Sequence, residues 1–266
     1  MKVVILIPAR FASSRFPGKP LVALNGAGGA AKPLIQRSYE TAGRVPGIAA
    51  VHVLTDDDRI ADAVRAFGGS VLMTSGGARN GTERCAEALG HLCDDIDLVV
   101  NFQGDALLTP PQFVSALVEY LAANAAAEVA TPAVRLGSND VRALAAEEAA
   151  GRVGGTSVVT DRAGRALYFS KRLVPHLPPG ALDGEMSPVR LHIGVYAYRP
   201  AALAAYAVTP PSELEMLEGL EQLRFLDVGI PVAVVNVETP PFVLRELNNP
   251  ADVAGIEAAL VLAGLD

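Results

Sequence analysis

A loop rich in cations follows the first apolar segment of the chain. Val3–Ile7 is an unbroken aliphatic run, and Arg10, Arg15 and Lys19 come shortly after it. A buried parallel strand is typically such a run, and ligands of open α/β sheets bind just beyond the carboxyl ends of the strands. Arginine binds phosphate oxygens through a planar fork of donors, and lysine adds a compact charge. The segment therefore predicts a triphosphate site, with a solvated surface loop as the alternative.

The loop differs from two common phosphate-binding motifs. It contains neither GxxxxGK[ST] nor GxGxxG, the patterns of P-loop NTPases and of dinucleotide-binding proteins. A kinase-type ATPase and a dehydrogenase are therefore not favoured.

An acidic motif, Asn101–Asp105, follows another apolar strand predicted at Asp97–Phe102. Asp105 is expected at the same edge of the sheet as Arg10. A carboxylate facing a triphosphate is repelled unless a cation lies between them, and Mg²⁺ is usually held by one or two carboxylates plus phosphate oxygens. The motif therefore predicts a Mg²⁺ ligand, with a turn-forming aspartate as the alternative.

Two further polar segments precede predicted helices. Thr55–Asp57 closes the second predicted strand, where side chains can reach a nucleotide, although Asp57 and Asp58 also suit a helix N-cap. Asn80–Arg84 precedes another helix, and Thr82 is a candidate N-cap there.

Composition restricts the possible partners. The 266 residues are 50% hydrophobic and carry a formal net charge of −7. We found no run of like charges, which argues against binding to nucleic acid or to an anionic membrane. Cys85 and Cys93 are too few for a disulfide framework, and no stretch approaches the roughly 20 apolar residues that cross a bilayer. We expect a cytoplasmic protein with a small-molecule partner.

Strand and helix patterns alternate along most of the chain, which is typical of parallel sheets with right-handed crossovers. The predicted strands are Val3–Ile7, Val51–Thr55, Val71–Thr74, Asp97–Phe102, Val129–Val134, Ser157–Thr160, Ala166–Phe169 and Val232–Val237. The predicted helices are Leu34–Gly43, Asp58–Phe67, Glu83–Leu92, Pro111–Ala125, Ser212–Val228 and Pro250–Ala263. The fold class is therefore α/β, with a mostly parallel, Rossmann-like sheet flanked by helices. We predict a single domain over 1–266 with a small inserted lobe at 171–200, where the alternation stops.

The segment Pro8–Leu21, PARFASSRFPGKPL, resembles the start of CMP-Kdo synthetases, which are sugar nucleotidyltransferases. Further motifs of this family follow in order along nearly the whole chain, including the metal-binding QGD and the SGTER segment of the cytosine pocket. The resemblance implies nucleotide contacts by Arg10, Ser14, Arg15, Lys19, Thr55, Asp56, Asn80, Gly81, Thr82 and Gln103, with Asp105 as a metal ligand.

The acceptor side is implied by three motifs in the second half of the chain. Ala166–Lys171 resembles ALYFSR, His192–Tyr196 resembles HLGIY, and Leu220–Arg224 matches LEQLR. On this resemblance the acceptor contacts are Gln103, Lys171, His192, Tyr196, Glu221 and Gln222. Taken alone, His192 and Tyr196 suit structural roles, and Glu221 with Arg224 suits a solvated pair on a helix.

Several positions depart from the family pattern. Asn248 stands where a second metal-binding aspartate is expected, and Ala106 replaces an acid after QGD. Ser157 replaces a lysine, Lys171 replaces an arginine, and Gly26–Lys32 is inserted after the first loop. The amide oxygen of asparagine is a weaker Mg²⁺ ligand than a carboxylate. The changes point to a divergent member with an altered acceptor, altered metal use or lost catalysis.

The sequence as a whole predicts a Mg²⁺-dependent cytidylyltransferase that couples CTP to a 3-deoxy-2-ulosonic acid such as Kdo. Arg10, Arg15 and Lys19 would hold the triphosphate, while Asp105 and Asn248 would hold the metal. The alternatives are a different acceptor (an amino-Kdo, a sialic-type sugar or a phosphonate) and a nucleotide-binding pseudoenzyme. The family resemblance also implies a homodimer, with the lobe at 171–200 contributing to the acceptor site and the dimer interface.

Overall fold

A computed structural model of the chain describes residues 1–12, 16–92, 95–242 and 247–266. The predictions for Ser14, Arg15 and Cys93 concern residues outside these ranges. The strands are β1 (Val3–Pro8), β2 (Ala23–Asn25), β3 (Ala31–Pro33), β4 (Ala50–Thr55), β5 (Val71–Met73), β6 (Leu98–Phe102), β7 (Val129–Gly137), β8 (Thr156–Thr160), β9 (Ala166–Ser170), β10 (Met186–His192), β11 (Val195–Tyr198) and β12 (Val232–Val237). The helices are α1 (Leu34–Gly43), α2 (Asp58–Ala66), α3 (Gly81–Ala88), α4 (Pro111–Ala123), α5 (Ser138–Ala149), α6 (Pro200–Val208), α7 (Glu213–Glu218), α8 (Leu223–Asp227) and α9 (Val253–Leu262).

Ten strands form the central sheet in the order β5-β4-β1-β6-β11-β7-β10-β8-β9, and β12 pairs with β7. β1 is parallel to β4 and β6, and β4 is parallel to β5. β11 runs antiparallel between β6 and β7, whereas β12 is parallel to β7. The predicted α/β class is confirmed, with most strands pointing in one direction and β9, β10 and β11 reversed.

Helices cover both faces of this sheet because the central strands are apolar on both sides. Val4 and Leu6 of β1 pack in a cluster with α3 and α6, whereas Val3, Ile5 and Ile7 pack in a second cluster with α1, α2 and α4. Val3–Ile7 is thus buried on both faces, as expected for a central parallel strand. Within the described ranges, no helix combines the length and the apolar character needed to cross a membrane.

The single helix predicted over Ser212–Val228 is wrong. A capping box formed by Ser212 and Glu215 starts α7, which ends at Gly219 with the left-handed angles φ 61° and ψ 41°. α8 begins only at Leu223. A left-handed glycine is a common helix stop, and here it leaves Glu221 and Gln222 on a short connection between two helices.

The predicted lobe at 171–200 shares its second half with the main sheet. β10 and β11 lie within the segment and pair with β7, β8 and β6. The part before Met186 lies outside the sheet, and the segment ends at Pro200, the first residue of α6. The role of this segment in acceptor binding and dimer contacts stays a prediction. The helix α5, which follows β7 directly, was not predicted from the sequence.

The insertion Gly26–Lys32 forms the tip and the first two residues of the second strand of a hairpin made of β2 and β3. Its tip is held by the last two residues of the sequence, since Gly28 N–H donates to Asp266 Oδ1 (2.7 Å) and Ala27 N–H donates to the Leu265 carbonyl (2.8 Å). The hairpin therefore docks against the end of the chain.

Candidate active site

The carboxyl ends of β1, β4 and β6 meet at one edge of the sheet. The parallel register pairs Pro8 with Leu54 and Leu6 with Asn101. Arg10 follows β1 and is exposed, while Asp105 follows β6. The prediction that these two segments share one edge is confirmed.

Lys19 and Asp105 meet directly at this edge. Lys19 begins a short 3₁₀ turn after Gly18, which has a φ of 72°. Its Nζ lies 2.5 Å from Asp105 Oδ2, and the two side chains are only 19% and 12% exposed. The structure thus brings together the cation predicted to bind phosphate and the carboxylate predicted to bind metal.

Asp105 also lies in a tight turn, which confirms the alternative prediction of a turn-forming aspartate. The turn is closed by a bond from Ala106 N–H to the Gln103 carbonyl (2.9 Å). The two roles are compatible, because the turn directs the carboxylate toward Lys19.

Thr55 and Asp56 at the end of β4 contact other protein groups. Thr55 is buried and its Oγ1 accepts a bond from Asp57 N–H (3.2 Å). Asp56 Oδ1 lies 3.2 Å from the guanidinium of Arg84, which is itself buried. Asp57 caps α2 by accepting from Arg59 N–H (3.0 Å), so the capping interpretation is confirmed for Asp57.

The segment Asn80–Thr82 starts α3. Asn80, not Thr82, is the N-cap, because its Oδ1 accepts from Glu83 N–H (2.8 Å). The Thr82 hydroxyl instead lies 2.8 Å from the hydroxyl of Tyr198. Gly81 sits tightly over β6, since a Cβ there would lie 3.1 Å from Asn101 Nδ2.

Glu221 connects the predicted nucleotide segment with the end of β6. Its Oε2 accepts from Thr82 N–H (2.9 Å) and its Oε1 accepts from Gln103 Nε2 (3.2 Å). Burial raises the pKa of the Glu221 carboxyl, although the hydrogen bonds from Thr82 act in the opposite direction. Glu221 is therefore a bridge between two motifs and not half of a solvated pair.

Arg224 is likewise buried, with 1% of its side chain exposed. It donates to both carboxylate oxygens of Glu215 (2.6 Å each) and to Glu83 Oε1 (2.9 Å), and it lies over the ring of Tyr206. Burial alone would lower the pKa of the Arg224 guanidinium, but the hydrogen bonds with Glu215 and Glu83 outweigh it and raise the pKa. The alternative of a solvated helix pair is wrong for this residue.

The predicted acceptor residues His192, Tyr196 and Gln222 lie beneath the surface. His192 Nε2 lies 2.9 Å from Thr131 Oγ1, and burial lowers the pKa of His192 to about 3. The Tyr196 hydroxyl donates to Gln222 Oε1 (3.0 Å). The rings of His192 and Tyr196 lie 5.4 Å apart, so the three side chains form one buried cluster, which we call the floor of the candidate site. Its contact with an acceptor stays a prediction.

Asn101 is a polar residue of this floor for which no role was predicted from the sequence. It pairs with Tyr196 across the β6–β11 ladder and is fully buried. Neither atom of its amide group has a hydrogen-bond partner among the described residues, and the same holds for Gln222 Nε2. The signal available in the sequence was an amide inside an otherwise apolar strand.

Lys171 lies at the rim of the site, beside the connection that carries Glu221. Its backbone N–H donates to Glu218 Oε2 (3.0 Å), and its Nζ lies 2.9 Å from where a Cβ of Gly219 would be. The exposed ammonium is thus close to the predicted acceptor residues.

Asn248 belongs to a segment that packs against the chain following Asp105. Its neighbour Leu247 is buried in a cluster with Leu107 and Leu108, which follow Asp105 in the chain. Among the described residues, no group of three or more His, Cys, Asp or Glu side chains could hold a metal ion. The single carboxylate of Asp105 still fits Mg²⁺, since this ion is commonly held by one or two carboxylates together with substrate phosphates.

Comparisons with known proteins agree with the geometry. A family model described as Cytidylyltransferase matches residues 4–232. The 3-deoxy-manno-octulosonate cytidylyltransferase of Maricaulis maris is 39% identical over 264 residues, covering 99% of this chain and 99% of the relative. The 8-amino-3,8-dideoxy-manno-octulosonate cytidylyltransferase of Shewanella frigidimarina is 40% identical over 266 residues, covering 98% and 100%.

A solved structure shows the same similarity at the level of the fold. It is that of a CMP:2-keto-3-deoxy-manno-octonic acid synthetase complexed with CTP, with a TM-score of 0.83 and 34% identity, covering 99% of this chain and 100% of that one. The chain therefore belongs to the CMP-Kdo synthetase family of cytidylyltransferases.

Proposed function

We propose that the protein transfers the cytidylyl group of CTP to a 3-deoxy-2-ulosonic acid such as Kdo. The anomeric oxygen of the acceptor forms a new bond to the α-phosphorus, the bond between the α-phosphorus and the bridging oxygen breaks, and pyrophosphate leaves. The hydroxyl proton passes to solvent. The observation that supports this most directly is the convergence of Lys19, Asp105, Thr82 and Glu221 at one sheet edge.

Lys19 and Arg10, which follow the carboxyl end of β1, would hold the triphosphate, with Arg15 as a further predicted contact. Asp105 would hold Mg²⁺ together with phosphate oxygens, and Asn248 is the second candidate ligand. Bound Mg²⁺ would offset the negative charge that develops on the departing pyrophosphate. Catalysis would rest mainly on positioning and charge stabilisation, and we assign no general base.

The acceptor would bind over the floor formed by His192, Tyr196 and Gln222. Lys171 offers a cation for the carboxylate of the sugar acid. Gln103 donates to Glu221, which also accepts from the start of α3, and these bonds support a role for both residues in orienting the acceptor relative to the nucleotide. A neutral His192, which follows from its low pKa, would act as a hydrogen-bonding group and not as a cation.

The test is pyrophosphate release with CTP and Mg²⁺ over a panel of acceptors: Kdo, its 8-amino analogue, a sialic acid and a phosphonate. Asp105→Ala is the informative variant, and Asp62→Ala is its matched control, because the exposed side chain of Asp62 pairs with Arg65 on the surface of α2. We expect turnover to be lost in the first variant and kept in the second. Turnover that survives Asp105→Ala would contradict the proposed metal role.

The panel also separates the alternatives. Relatives named for Kdo and for its 8-amino analogue are equally similar to this chain, so the faster of these two acceptors identifies the substrate. Asn248 and Ala106 favour the second candidate function, a nucleotide-binding pseudoenzyme. Tight CTP binding without turnover on any acceptor would establish that candidate.

We further propose that the protein is a cytoplasmic homodimer that binds neither nucleic acid nor membranes, as the family resemblance and the net charge of −7 indicate. The segment 171–200 is the proposed contributor to the dimer contact. Light scattering at micromolar concentration gives the mass in solution, and a monomer there would contradict this proposal.

A further inference from the structure

Two buried hydroxyl groups on α1 hold the turn that carries Asp105. Ser38 Oγ donates to the carbonyl of Gly104 (2.8 Å), and Thr41 Oγ1 donates to the carbonyl of Leu107 (3.1 Å). Ser38 is fully buried and Thr41 is nearly so. The two side chains are three residues apart and therefore lie on one face of the helix. They contact the chain immediately before Asp105 and shortly after it.

The bond from Ser38 acts on the peptide plane that precedes Asp105. This peptide lies at the centre of the turn closed by Gln103 and Ala106. Its orientation sets the direction of the Asp105 Cα–Cβ bond, and so the place of the carboxylate beside Lys19. Full rotation of the peptide would require a positive φ at Asp105, which L residues avoid. Smaller rotations meet no such barrier, and the Ser38 hydroxyl opposes them.

The helix that carries these hydroxyls is firmly anchored. Ile35 and Ala42 of α1 are fully buried in the core beneath the sheet. Arg37 on the same helix donates to the carbonyls of Leu24 (2.7 Å) and Ala30 (2.8 Å) in the β2–β3 hairpin. The hydroxyl donors are therefore fixed relative to the sheet.

We propose that Ser38 and Thr41 are positioning residues that set the Asp105 carboxylate in its metal-binding place. This inference rests on the metal role proposed for Asp105. The competing explanation is that the hydroxyls only satisfy buried carbonyls and contribute to stability alone. The two explanations make different predictions for metal affinity. Only the positioning role predicts weaker metal binding in a variant that is still folded.

The experiment measures Mn²⁺ binding by electron paramagnetic resonance in the presence of CTP and without acceptor. Mn²⁺ accepts the same oxygen ligands as Mg²⁺. The variants are Ser38→Ala, Thr41→Val and their combination. Ser187→Ala is the matched control, because fully buried Ser187 donates in the same way to the carbonyl of Leu136 (2.8 Å), in another part of the sheet.

We expect the combined variant to bind Mn²⁺ about tenfold more weakly than wild type, as is typical when groups that support a metal ligand are removed. The control should lower the unfolding temperature without changing Mn²⁺ affinity. Thr41→Ser, which keeps the hydroxyl, should bind Mn²⁺ like wild type. CTP affinity measured in EDTA should be the same in all variants.

The inference is overturned if the combined variant binds Mn²⁺ like wild type, or if Ser187→Ala weakens binding equally. Asp105→Asn separates this failure from failure of the proposed function. If Asp105→Asn alone loses Mn²⁺ affinity, the metal role stands and only the positioning role fails. If Asp105→Asn binds Mn²⁺ normally, the metal role fails as well.

Discussion

Removal of the buried guanidinium of Arg224 should destabilise the fold strongly. Arg224→Met keeps much of the side-chain volume but leaves the buried carboxylate of Glu215 without its cation, whereas Glu83 keeps its pair with Arg79. Breaking one side of a buried ion pair typically costs about 3–5 kcal/mol, because a charge stays buried without a partner. A domain with an unfolding free energy of about 5–15 kcal/mol would lose a large part of its stability.

The chain offers a matched control in Arg59. This residue also binds a carboxylate through two nitrogens, with Asp57 at 2.9 and 2.6 Å, and it also lies over an aromatic ring, that of Phe11. Its side chain is 60% exposed, against 1% for Arg224. The two sites therefore share a doubly bonded carboxylate and an aromatic ring, and they differ in burial and in the further bond from Arg224 to Glu83. We expect Arg59→Met to unfold close to wild type, because solvent screens exposed pairs.

The assay is urea-induced unfolding followed by circular dichroism, with the free energy obtained by linear extrapolation. Arg224→Lys should fall between Arg224→Met and wild type, because lysine keeps the charge but not the two-pronged geometry. The reasoning is refuted if Arg224→Met lies within about 1 kcal/mol of wild type, the range of an exposed pair.

Three further outcomes are expected. Because burial holds the pKa of His192 near 3 while the unfolded chain takes up this proton near pH 6.5, His192 should contribute a loss of about 2 kcal/mol of stability between pH 8 and pH 5. This contribution should be absent from His192→Asn in urea titrations at both pH values, whereas the contribution of His52, whose pKa burial also lowers, should remain. Gly104→Ala should destabilise the fold by about 1–3 kcal/mol and reduce turnover, because the new Cβ would lie 2.8 Å from the Pro8 carbonyl. Gly90→Ala, whose Cβ meets nothing within 4 Å, is its control in the same thermal and kinetic assays. Asn248→Asp should lower the Mg²⁺ concentration for half-maximal turnover, because a carboxylate is the stronger ligand; an unchanged Mg²⁺ titration would place this residue away from the metal.

The edge of the sheet that carries the site could be predicted from the chain alone. The apolar runs before Arg10 and Asp105 are strong signals of buried parallel strands, and the carboxyl ends of such strands lie together. The structure confirms this through the register of β1 with β4 and β6. The predicted strands and helices of the first half differ from the observed bounds by a few residues at most, except that the predicted helix Glu83–Leu92 ends in a 3₁₀ turn. The short strands β2 and β3 were not predicted.

The second half shows where pattern reading fails. The spacing of apolar residues continues unchanged past Gly219, although helix α7 ends there. Periodicity does not reveal that this glycine adopts left-handed angles. β10 and β11 follow a stretch rich in proline and glycine, and the local composition gives no sign that these strands enter the main sheet. Partners of a strand are distant in sequence, so their identity depends on topology.

The sequence by itself determined the fold class, the family and the edge at which the site lies, because periodic apolar patterns and short motifs are local properties of a chain. The tertiary structure alone decided which polar groups meet. Glu221 reaches Thr82 across 139 residues, and Arg224 reaches Glu83 across 141. Such contacts depend on the packing of whole elements and on the removal of water from between them, and neither is encoded in the spacing of neighbouring residues.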